Sequence, residues 1–272
     1  MTRAQPLRAG ALGLAVAAIG YRRGALSKSG AAGAAAIGAV TFGAGSWRWS
    51  APLLAFFVGS SALSRLERSG KGAAGAEFNP RGARRDIIQV LANGGPAAIA
   101  ALTHIAVPHP AFGSAFAGAI AAANGDTWAT EIGALSPLPP RMILKGGLAP
   151  AGTSGAITPL GMAASAAGSA LIGLAAGLAL EGPRRVRRAL AVTLAGMAGA
   201  LIDSVAGETM QAGYLCPQCT EPTERRVHHC GTTTILSRGK AWCNNDVVNA
   251  LCTSVGAVVA AALSEVQLKP KQ

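Results

Sequence analysis

Acidic side chains in this sequence recur inside long apolar stretches or at their ends, where a charge is costly and usually has a functional role. Five of the 12 acidic residues lie in such places: Asp126, Glu131, Asp203, Glu208 and Asp246. Amides and hydroxyls accompany them, and these hard oxygen donors are the ligands that Mg²⁺ shares with substrate phosphates. We therefore predict a magnesium site with Asp126, Asp203 and Asp246 as metal ligands. Glu131 and Asn249 are predicted to be further ligands or supporting groups.

The segment NGDTWATEIG, from Asn124 to Gly133, has the spacing of a polar helix face. In a helix, Asp126 would lie one turn from Thr130 and Thr127 one turn from Glu131, giving two adjacent polar stripes. We expect this face to border a polar cavity. Other polar residues near the ends of the apolar stretches are predicted to bind substrate or phosphate: Gln89, Asn93, Asn124, Thr127, Ser204, Gln211 and Asn245.

A glycine-rich segment, Gly152-Thr153-Ser154-Gly155, stands at the start of another apolar stretch. Free backbone N–H groups and the helix dipole favour an anion at such a position. Arg141 and Lys145 lie just upstream and could neutralise phosphate charge during phosphoryl transfer. The tetrapeptide is also typical of an ordinary turn, and an aspartate near a membrane surface is often only solvated. The combination of these features predicts phosphoryl transfer on a membrane lipid.

Cysteine and histidine residues cluster late in the chain, as Cys216-Pro-Gln-Cys219 followed by His228-His229-Cys230. Three thiolates and one imidazole form a plausible structural Zn²⁺ site. We predict Cys216, Cys219 and Cys230 as ligands with either His228 or His229, and assign His229. The Cys-x2-Cys pair is also compatible with a redox pair or a simple turn. Cys243 is a competing ligand, whereas Cys252 is predicted to pack inside a helix.

The elements that carry these residues are predicted to be membrane helices. The chain of 272 residues is 50% hydrophobic, 13% charged and 4% aromatic, with 36 glycines. A soluble enzyme has more charged residues and more aromatic side chains in its core, whereas membrane helices associate through small residues. We predict an all-α fold, a polytopic membrane helix bundle of about eight transmembrane helices that forms one domain over residues 1–272.

Eight apolar stretches are candidates for membrane-spanning helices: Leu7–Gly20, Ala31–Gly45, Trp49–Leu63, Ile87–Val107, Phe112–Leu135, Ala156–Leu180, Ala189–Ala206 and Val247–Leu263. A short cytoplasmic Cys/His loop, residues 208–245, joins the last two. In the sixth stretch a small residue recurs at every fourth position: Gly161, Ser165, Ser169, Gly173 and Gly177. Such a stripe lets helices approach closely, and we expect this helix to be central in the bundle.

Alternating crossings place all of the polar clusters on one membrane face. Most Lys and Arg residues fall on that face as well, which makes it cytoplasmic by the positive-inside rule. The cluster between Arg184 and Arg188 falls on the opposite face and contradicts the rule. The net charge is +12, but the Lys and Arg residues are not interleaved with exposed aromatic residues, as we would expect of a nucleic-acid-binding protein. We expect a membrane lipid and a nucleoside triphosphate as partners, and no nucleic acid.

Several motifs in order resemble the family known as transmembrane protein 19, or domain of unknown function 92. They are Arg85-Asp86-x2-Gln89-x3-Asn93-Gly94, the Gly125–Gly133 block, Pro140-Arg141, Gly152–Gly155, Asp203-Ser204 with Gln211, and Asn245-Asp246-x2-Asn249. The sequence departs from the family pattern at Asn124-Gly125 and at Ser154. The resemblance implies a multi-pass membrane fold, and the family includes the plant phytyl-phosphate kinase of the vitamin E pathway. The two glycine-containing blocks also resemble those of dolichol kinases and CDP-lipid synthases, which use CTP and Mg²⁺.

These features together predict an integral-membrane kinase. It would transfer phosphate from a nucleoside triphosphate, with CTP as one candidate, to an isoprenoid-alcohol monophosphate such as phytyl or prenyl phosphate. The acceptor oxygen is already nucleophilic, so catalysis would consist mostly of positioning and charge neutralisation. The alternatives are a CDP-lipid-forming cytidylyltransferase and a non-enzymatic membrane carrier of phosphorylated lipids. A carrier needs access from both faces, and the one-sided polar clusters favour an enzyme.

Overall fold

Seven helices make up most of the structure, a computed structural model that describes residues 4–70, 84–180 and 184–266. The helices are α1 (Ala4–Arg22), α2 (Lys28–Gly70), α3 (Ile87–Ala106), α4 (Pro110–Gly133), α5 (Pro159–Ala179), α6 (Arg185–Thr209) and α7 (Asn245–Val266). Much of the basic stretch between α2 and α3, residues 71–83, lies outside the described residues. Local signals set the helix starts: Thr158 caps α5 by accepting a hydrogen bond from the Gly161 N–H at 3.0 Å, and Pro159 follows it.

Helix α2 consists of two arms that meet at a sharp turn. Gly45 and Ser46 leave the helical conformation there, and Ser46 has a φ of 59°. The first arm runs beside α3, so that Gly94 faces Ile37, and the second arm runs beside α4, so that Gly59 faces Trp128. The seven helices therefore contain eight helical segments, one for each predicted stretch.

The membrane character of these segments is clear for three helices. Within the described residues, Pro159–Ala179, Arg185–Thr209 and Asn245–Glu265 are long and apolar enough to cross a membrane. Eight crossings therefore remain a prediction.

The centre of the bundle is α4, and not α5 as the sequence predicted. Helix α4 packs against α2, α3, α5, α6 and α7, and its residues from Phe116 to Ala122 are almost fully buried. The helices come this close because glycines meet at the crossings: a Cβ on Gly118 would lie 2.3 Å from the Gly256 oxygen. The predicted small-residue stripe of α5 is buried as expected, with Gly161 against Gly133 of α4 and Gly173 against Thr193 of α6.

The structure is mostly helical, as predicted, and two small antiparallel sheets add to the helices. Strand β1 (Arg141–Met142) pairs with β2 (Ala156–Ile157) between α4 and α5. The predicted Cys/His loop contains β3 (Gly213–Leu215), which is flanked by β4 (Pro222–Thr223) and β5 (Ile235–Arg238). We call this segment, residues 213–238, the Cys/His sheet.

The polar ends of the helices converge at one end of the bundle, which we call the motif end. The turn between α1 and α2 lies there beside the start of α3, since the Ser27 N–H donates to the Arg85 oxygen at 3.0 Å. The end of α4, the start of α5, the end of α6 and the start of α7 surround one cavity at the same place. The turn of α2 lies at the opposite end, where Trp49 contacts His104 near the end of α3.

Candidate functional site

A cavity of about 1210 Å³ opens at the motif end, between the helix ends and the Cys/His sheet. It brings together residues that are far apart in sequence. Most of the residues predicted for the site lie on its wall: Gln89, Asn93, Asp126, Thr127, Glu131, Gly152, Thr153, Ser154, Gly155, Asp203, Ser204, Gln211, Asn245, Asp246 and Asn249.

Two carboxyl groups meet on the cavity wall. Asp126 near the end of α4 and Asp203 in α6 lie within hydrogen-bonding reach of each other. The Asp203 Oδ2 atom is buried and has no hydrogen-bond partner among the described residues. Facing carboxylates repel each other unless a cation or a shared proton lies between them. Because Mg²⁺ is usually bound by one or two carboxylates together with substrate phosphates, this pair fits the ion.

The third predicted magnesium ligand, Asp246, is separate from this pair. It lies in the first turn of α7, is 7% exposed, and lines the same cavity. Within the described residues, Asp126, Asp203 and Asp246 do not form a group of three ligand atoms within 4.8 Å. The structure therefore does not bring the three described aspartates together as one ligand set, and Asp246 contributes its carboxylate to the cavity wall from α7.

Arg85 supplies positive charge next to the carboxylates. Burial lowers the pKa of its guanidinium, and the negative charges of Glu131 and Asp126 oppose that shift. Arg85 directly precedes Asp86, whose side chain accepts a hydrogen bond from the Gln89 N–H in a capping box at the start of α3. The cap fixes the backbone that holds Arg85 over the cavity. Arg85 belongs to one of the sequence motifs but was not among the predicted site residues.

The two cations that the sequence predicted for the site lie outside the cavity wall. Arg141 and Lys145 are exposed, and the Arg141 guanidinium donates to the Gly146 oxygen at 3.0 Å. The carboxylate of Glu208 fastens this turn by accepting hydrogen bonds from the backbone N–H groups of Leu144 and Lys145, at 2.7 and 3.2 Å.

Arg225 and Arg226 take the place of those two cations on the cavity wall. They follow β4 of the Cys/His sheet, and the Arg226 guanidinium donates to the Ala241 oxygen at 3.2 Å. The sequence did contain this Arg-Arg pair, but only the folding of the Cys/His sheet over the helix ends brings it to the site.

The glycine-rich segment has a different structure from the predicted helix start. Gly152 and Gly155 both have a φ of 86°, which glycine adopts at little cost. A Cβ on Gly155 would also lie 2.4 Å from the Glu208 nitrogen. The segment leads into β2 and is separated from α5, so the dipole of that helix does not act directly on it. The exposed edge of the turn still lines the cavity.

Ser154 belongs to a polar network and was predicted to bind phosphate. Its hydroxyl donates to Glu224 and accepts from the Gln211 amide at 2.9 Å. Arg238 donates to the Ser154 carbonyl at 3.4 Å. Burial raises the pKa of Glu224, and the hydrogen bond from Ser154 and the charge of Arg238 counteract the shift. Glu224, which joins the glycine-rich segment to the Cys/His sheet, was not among the predicted site residues.

Asn124 does not reach the cavity, in contrast to its predicted role. It is fully buried, and its amide donates to the Gly168 oxygen at 2.7 Å. This bond joins α4 to α5. Asn124 is therefore a packing residue whose polar side chain links two central helices.

The Cys/His sheet brings four potential metal ligands together. The ligand atoms of Cys216, Cys219, His228 and Cys230 all lie within 4.8 Å of one another, and we call these residues the Cys/His cluster. His228 takes the place of His229, which the sequence analysis assigned. Cys243 packs instead against Ala206 and Val248.

The thiols of the Cys/His cluster lie within hydrogen-bonding distance of neighbouring side chains. Hydrogen bonds with Thr232 and His228 lower the pKa of Cys230 to about 6. A hydrogen bond with Cys230, together with burial, raises the pKa of Cys219 to about 12.

Comparison with known proteins identifies relatives that match most of the chain. The family described as "Integral membrane protein DUF92" matches residues 11–257. Protein PGR of Arabidopsis thaliana is 31% identical, in a match that covers 72% of this chain and 75% of that protein. The uncharacterized membrane protein MJ0933 of Methanocaldococcus jannaschii is also 31% identical, over 76% of this chain and 72% of that protein. No solved structure matches the chain.

Proposed function

The chain belongs to the DUF92 family of integral membrane proteins, and on this basis we propose that it is a membrane-embedded kinase for phosphorylated isoprenoid alcohols. The enzyme transfers the terminal phosphoryl group of a nucleoside triphosphate to the phosphate of phytyl or prenyl phosphate. The observation that carries the proposal is the single cavity at the motif end, where paired carboxylates and several arginines face one another.

Binding of the triphosphate follows from the charges on the cavity wall. Asp126 and Asp203 would hold Mg²⁺, which supplies positive charge to the phosphate oxygens. Arg85, Arg225 and Arg226 approach from other elements and offer hydrogen-bond donors for the remaining oxygens. Such an arrangement of opposite charges selects a polyphosphate over a neutral ligand.

The reaction needs little more from the protein than alignment. An oxygen of the lipid phosphate attacks the terminal phosphorus, the bond from that phosphorus to the bridging oxygen breaks, and the nucleoside diphosphate leaves. The attacking oxygen already carries negative charge, so no side chain has to remove a proton. The arginines then stabilise charge that is spread over the transferred group, which is the main task in phosphoryl transfer.

The isoprenoid chain requires an apolar path out of the polar cavity. Met162 of α5 and Met197 and Leu201 of α6 line the same cavity, and Leu201 is 37% exposed. A lipid tail that leaves between α5 and α6 would contact these side chains and remain in the membrane. The phosphate would stay at the motif end with the charged residues.

The membrane arrangement is part of the proposal. Each of the eight helical segments crosses the membrane, and the motif end faces the cytoplasm, where nucleoside triphosphates are available. The short turn within α2 supports this arrangement because it allows two crossings in one continuous element. The concentration of Lys and Arg near the motif end supports the cytoplasmic orientation.

A labelled-nucleotide assay tests the activity. Purified protein in detergent is incubated with Mg²⁺, phytyl or longer prenyl phosphates, and each nucleoside triphosphate labelled either at the terminal or at the α-phosphate. Terminal label in a lipid diphosphate is the expected result. Label from the α-phosphate of CTP in the lipid would replace the kinase with a CDP-lipid-forming cytidylyltransferase. A folded preparation that binds the lipid phosphate without making either product would leave only a carrier.

A further inference from the structure

We propose that Cys216, Cys219, His228 and Cys230 bind one Zn²⁺ per chain, and that this ion holds Glu224, Arg225 and Arg226 in place at the cavity wall. The proposal does not depend on which reaction the cavity supports. It concerns the segment that closes the cavity over the helix ends.

The distances in the Cys/His cluster fit a tetrahedral zinc site. Zinc binds sulfur at about 2.3 Å and imidazole nitrogen at about 2.0 to 2.1 Å, so around a tetrahedral ion two sulfurs are roughly 3.8 Å apart and a sulfur and a nitrogen roughly 3.5 Å apart. In the structure, the sulfur atoms of Cys216 and Cys230 are 3.6 Å apart. The Nδ1 atom of His228 is 3.2 Å from the Cys230 sulfur. The separations in the cluster lie within a few tenths of an ångström of these values. Three thiolates and one imidazole are a donor set typical of structural zinc.

The four ligands form two pairs along the chain, Cys216 with Cys219 and His228 with Cys230, and each pair lies in a turn of similar construction. Thr220 directly follows Cys219 and has a φ of 57°, and Gly231 directly follows Cys230 and has a φ of 85°. The N–H of each of these residues donates to the carbonyl oxygen of the first ligand in its pair, at 2.8 Å in the first turn and 2.9 Å in the second. In the first turn the Cys219 N–H also points at the Cys216 sulfur, 3.4 Å away. Both turns therefore present their ligands towards a common point.

The structure selects His228 over its neighbour as the nitrogen ligand. His228 is only 2% exposed, and its Nδ1 faces Cys230. Its other nitrogen, Nε2, lies 3.4 Å from a carboxylate oxygen of Glu221. A carboxylate beside the second ring nitrogen is the usual means of orienting a zinc-bound histidine. His229 is exposed and lies outside the cluster.

The Cys/His sheet also needs a cross-link because it has little apolar core. Tyr214 is buried, but the aliphatic side chains of Leu215, Ile235 and Leu236 are 40%, 62% and 42% exposed. Strands of two to four residues cannot hold a fold together by burial alone, and small units of this kind commonly depend on a metal or on disulfides. The four residues of the Cys/His cluster are placed to provide this cross-link through one ion, because their ligand atoms lie within 4.8 Å of one another.

The position of the Cys/His cluster in the chain explains how a bound zinc ion would fix residues at the cavity wall. Glu224, Arg225 and Arg226 lie in the chain between the first ligand pair and the second. An ion that joins the two pairs closes this segment into a short loop. Side chains on such a loop keep a fixed position relative to the helix ends, whereas an open loop would let Arg225 and Arg226 leave the cavity wall.

Metal analysis of the full chain tests the site directly. Protein purified without chelators should contain one zinc per chain, and replacement by Co²⁺ should give the absorption bands of a tetrahedral thiolate site. Cys230→Ser and His228→Asn should lose most of the zinc, while the matched variants Cys243→Ser and His229→Asn should keep it. Loss of zinc in His229→Asn but not in His228→Asn would overturn the ligand assignment. Absence of zinc from the unmodified protein, or a disulfide between Cys216 and Cys230, would overturn the site.

Limited proteolysis tests the positioning role without an activity assay. Trypsin cleaves after arginine and lysine, and in the zinc-bound protein Arg225 and Arg226 should be protected. Removal of zinc by a chelator should expose both, with cleavage at least tenfold faster, and added zinc should restore the protection. Cleavage after Lys145, in a separate exposed turn, is the control and should not change. Equal cleavage after Arg225 with and without zinc would show that the ion does not fix this segment.

Discussion

At the scale of single residues, the site depends on the close pair Asp126 and Asp203. Replacing Asp126 by Asn preserves volume and hydrogen-bonding shape but removes the negative charge that a metal ligand supplies. If the pair binds Mg²⁺ in the kinase reaction, Asp126→Asn should lower turnover about a hundredfold, or about 3 kcal/mol. Stability and binding of the lipid phosphate should change little. The measurement is turnover at saturating substrates, with thermal unfolding of each preparation as the control.

The same argument extends to Asp203→Asn, and the double variant should cost less than the sum of the two single changes because both residues act on one ion. Asp126 has a simpler alternative role, in which it only accepts hydrogen bonds from its neighbours. Under that alternative Asn would serve nearly as well. Near-normal turnover of Asp126→Asn, in a preparation whose parent is active, would remove Asp126 from the metal site.

The arginines allow a direct comparison of the sequence prediction with the structure. Arg85 lies on the cavity wall near Glu131, whereas Arg141 is exposed and donates to Gly146. Arg85→Gln should reduce turnover on the order of tenfold to a hundredfold, since it removes a donor near the phosphates. Arg141→Gln should have less than a twofold effect. The measurement is the turnover of both variants, relative to the parent, on folded protein. A larger loss for Arg141→Gln than for Arg85→Gln would place the phosphate beside the exposed turn that follows β1 and not beside Arg85.

Residue types identified the carboxylates of the site but not its cations. A carboxylate in an apolar stretch stands out because its placement is costly, so the sequence alone was enough to single out Asp126 and Asp203, which both line the cavity. Arginines in a loop carry no such signal, since most exposed loops contain them. Asn124 was misassigned for a related reason: a buried amide that bonds a neighbouring helix backbone has the same sequence pattern as one that binds a ligand.

At the scale of elements, the bundle depends on glycines where α4 crosses α7. Gly118→Ala would place a methyl group 2.3 Å from the Gly256 oxygen, so the helices must move apart. We expect a loss of about 1 to 3 kcal/mol in stability, as for other overpacked cores. The matched control is Gly10→Ala in α1, where a Cβ would meet nothing within 4 Å. This variant should be more stable to unfolding by up to about 1 kcal/mol, because alanine has the higher helix propensity. Unfolding in detergent measures both, and equal stabilities would show that the α4–α7 crossing is loosely packed.

Helices were predictable from the sequence to a degree that strands were not. Long Ala- and Gly-rich stretches have enough residues to indicate a helix, and each of the eight stretches overlaps one helical segment. The boundaries were less accurate, since Ala156–Leu180 begins in β2 and Phe112–Leu135 extends two residues past α4. Strands such as β1 and β4 contain two residues each, too few for an alternating pattern to be recognised. The sequence therefore predicted a loop where the structure has the Cys/His sheet. It also placed α5 at the centre, because a stripe of small residues marks close packing but does not say how many neighbours a helix has.

At the scale of the whole molecule, the two ends of the helix bundle differ in charge and in shape. The cavity, the Cys/His sheet and many of the Lys and Arg residues lie towards the motif end, whereas the turn of α2 and the connection between α3 and α4 lie at the other. A substrate that is apolar at one end and highly charged at the other matches this division. Only a bundle with helices in alternating directions brings the starts of α3, α5 and α7 to the ends of α4 and α6.

The orientation of the bundle in the membrane is tested with a peptide tag that a cytoplasmic ligase biotinylates. The tag is inserted after Gly147, in the exposed turn at the motif end, or after Val107, between α3 and α4 at the opposite end. A Cβ on Gly147 would meet nothing within 4 Å, and Val107 is 61% exposed, so both insertions should leave the fold intact. Because positive charge is retained in the cytoplasm during insertion, the Gly147 tag should be labelled in intact cells and the Val107 tag only after lysis. Labelling of both tags in intact cells would contradict the alternating crossings. Labelling of the Val107 tag alone would show the opposite membrane orientation, in which the cavity has no access to cytoplasmic nucleotides.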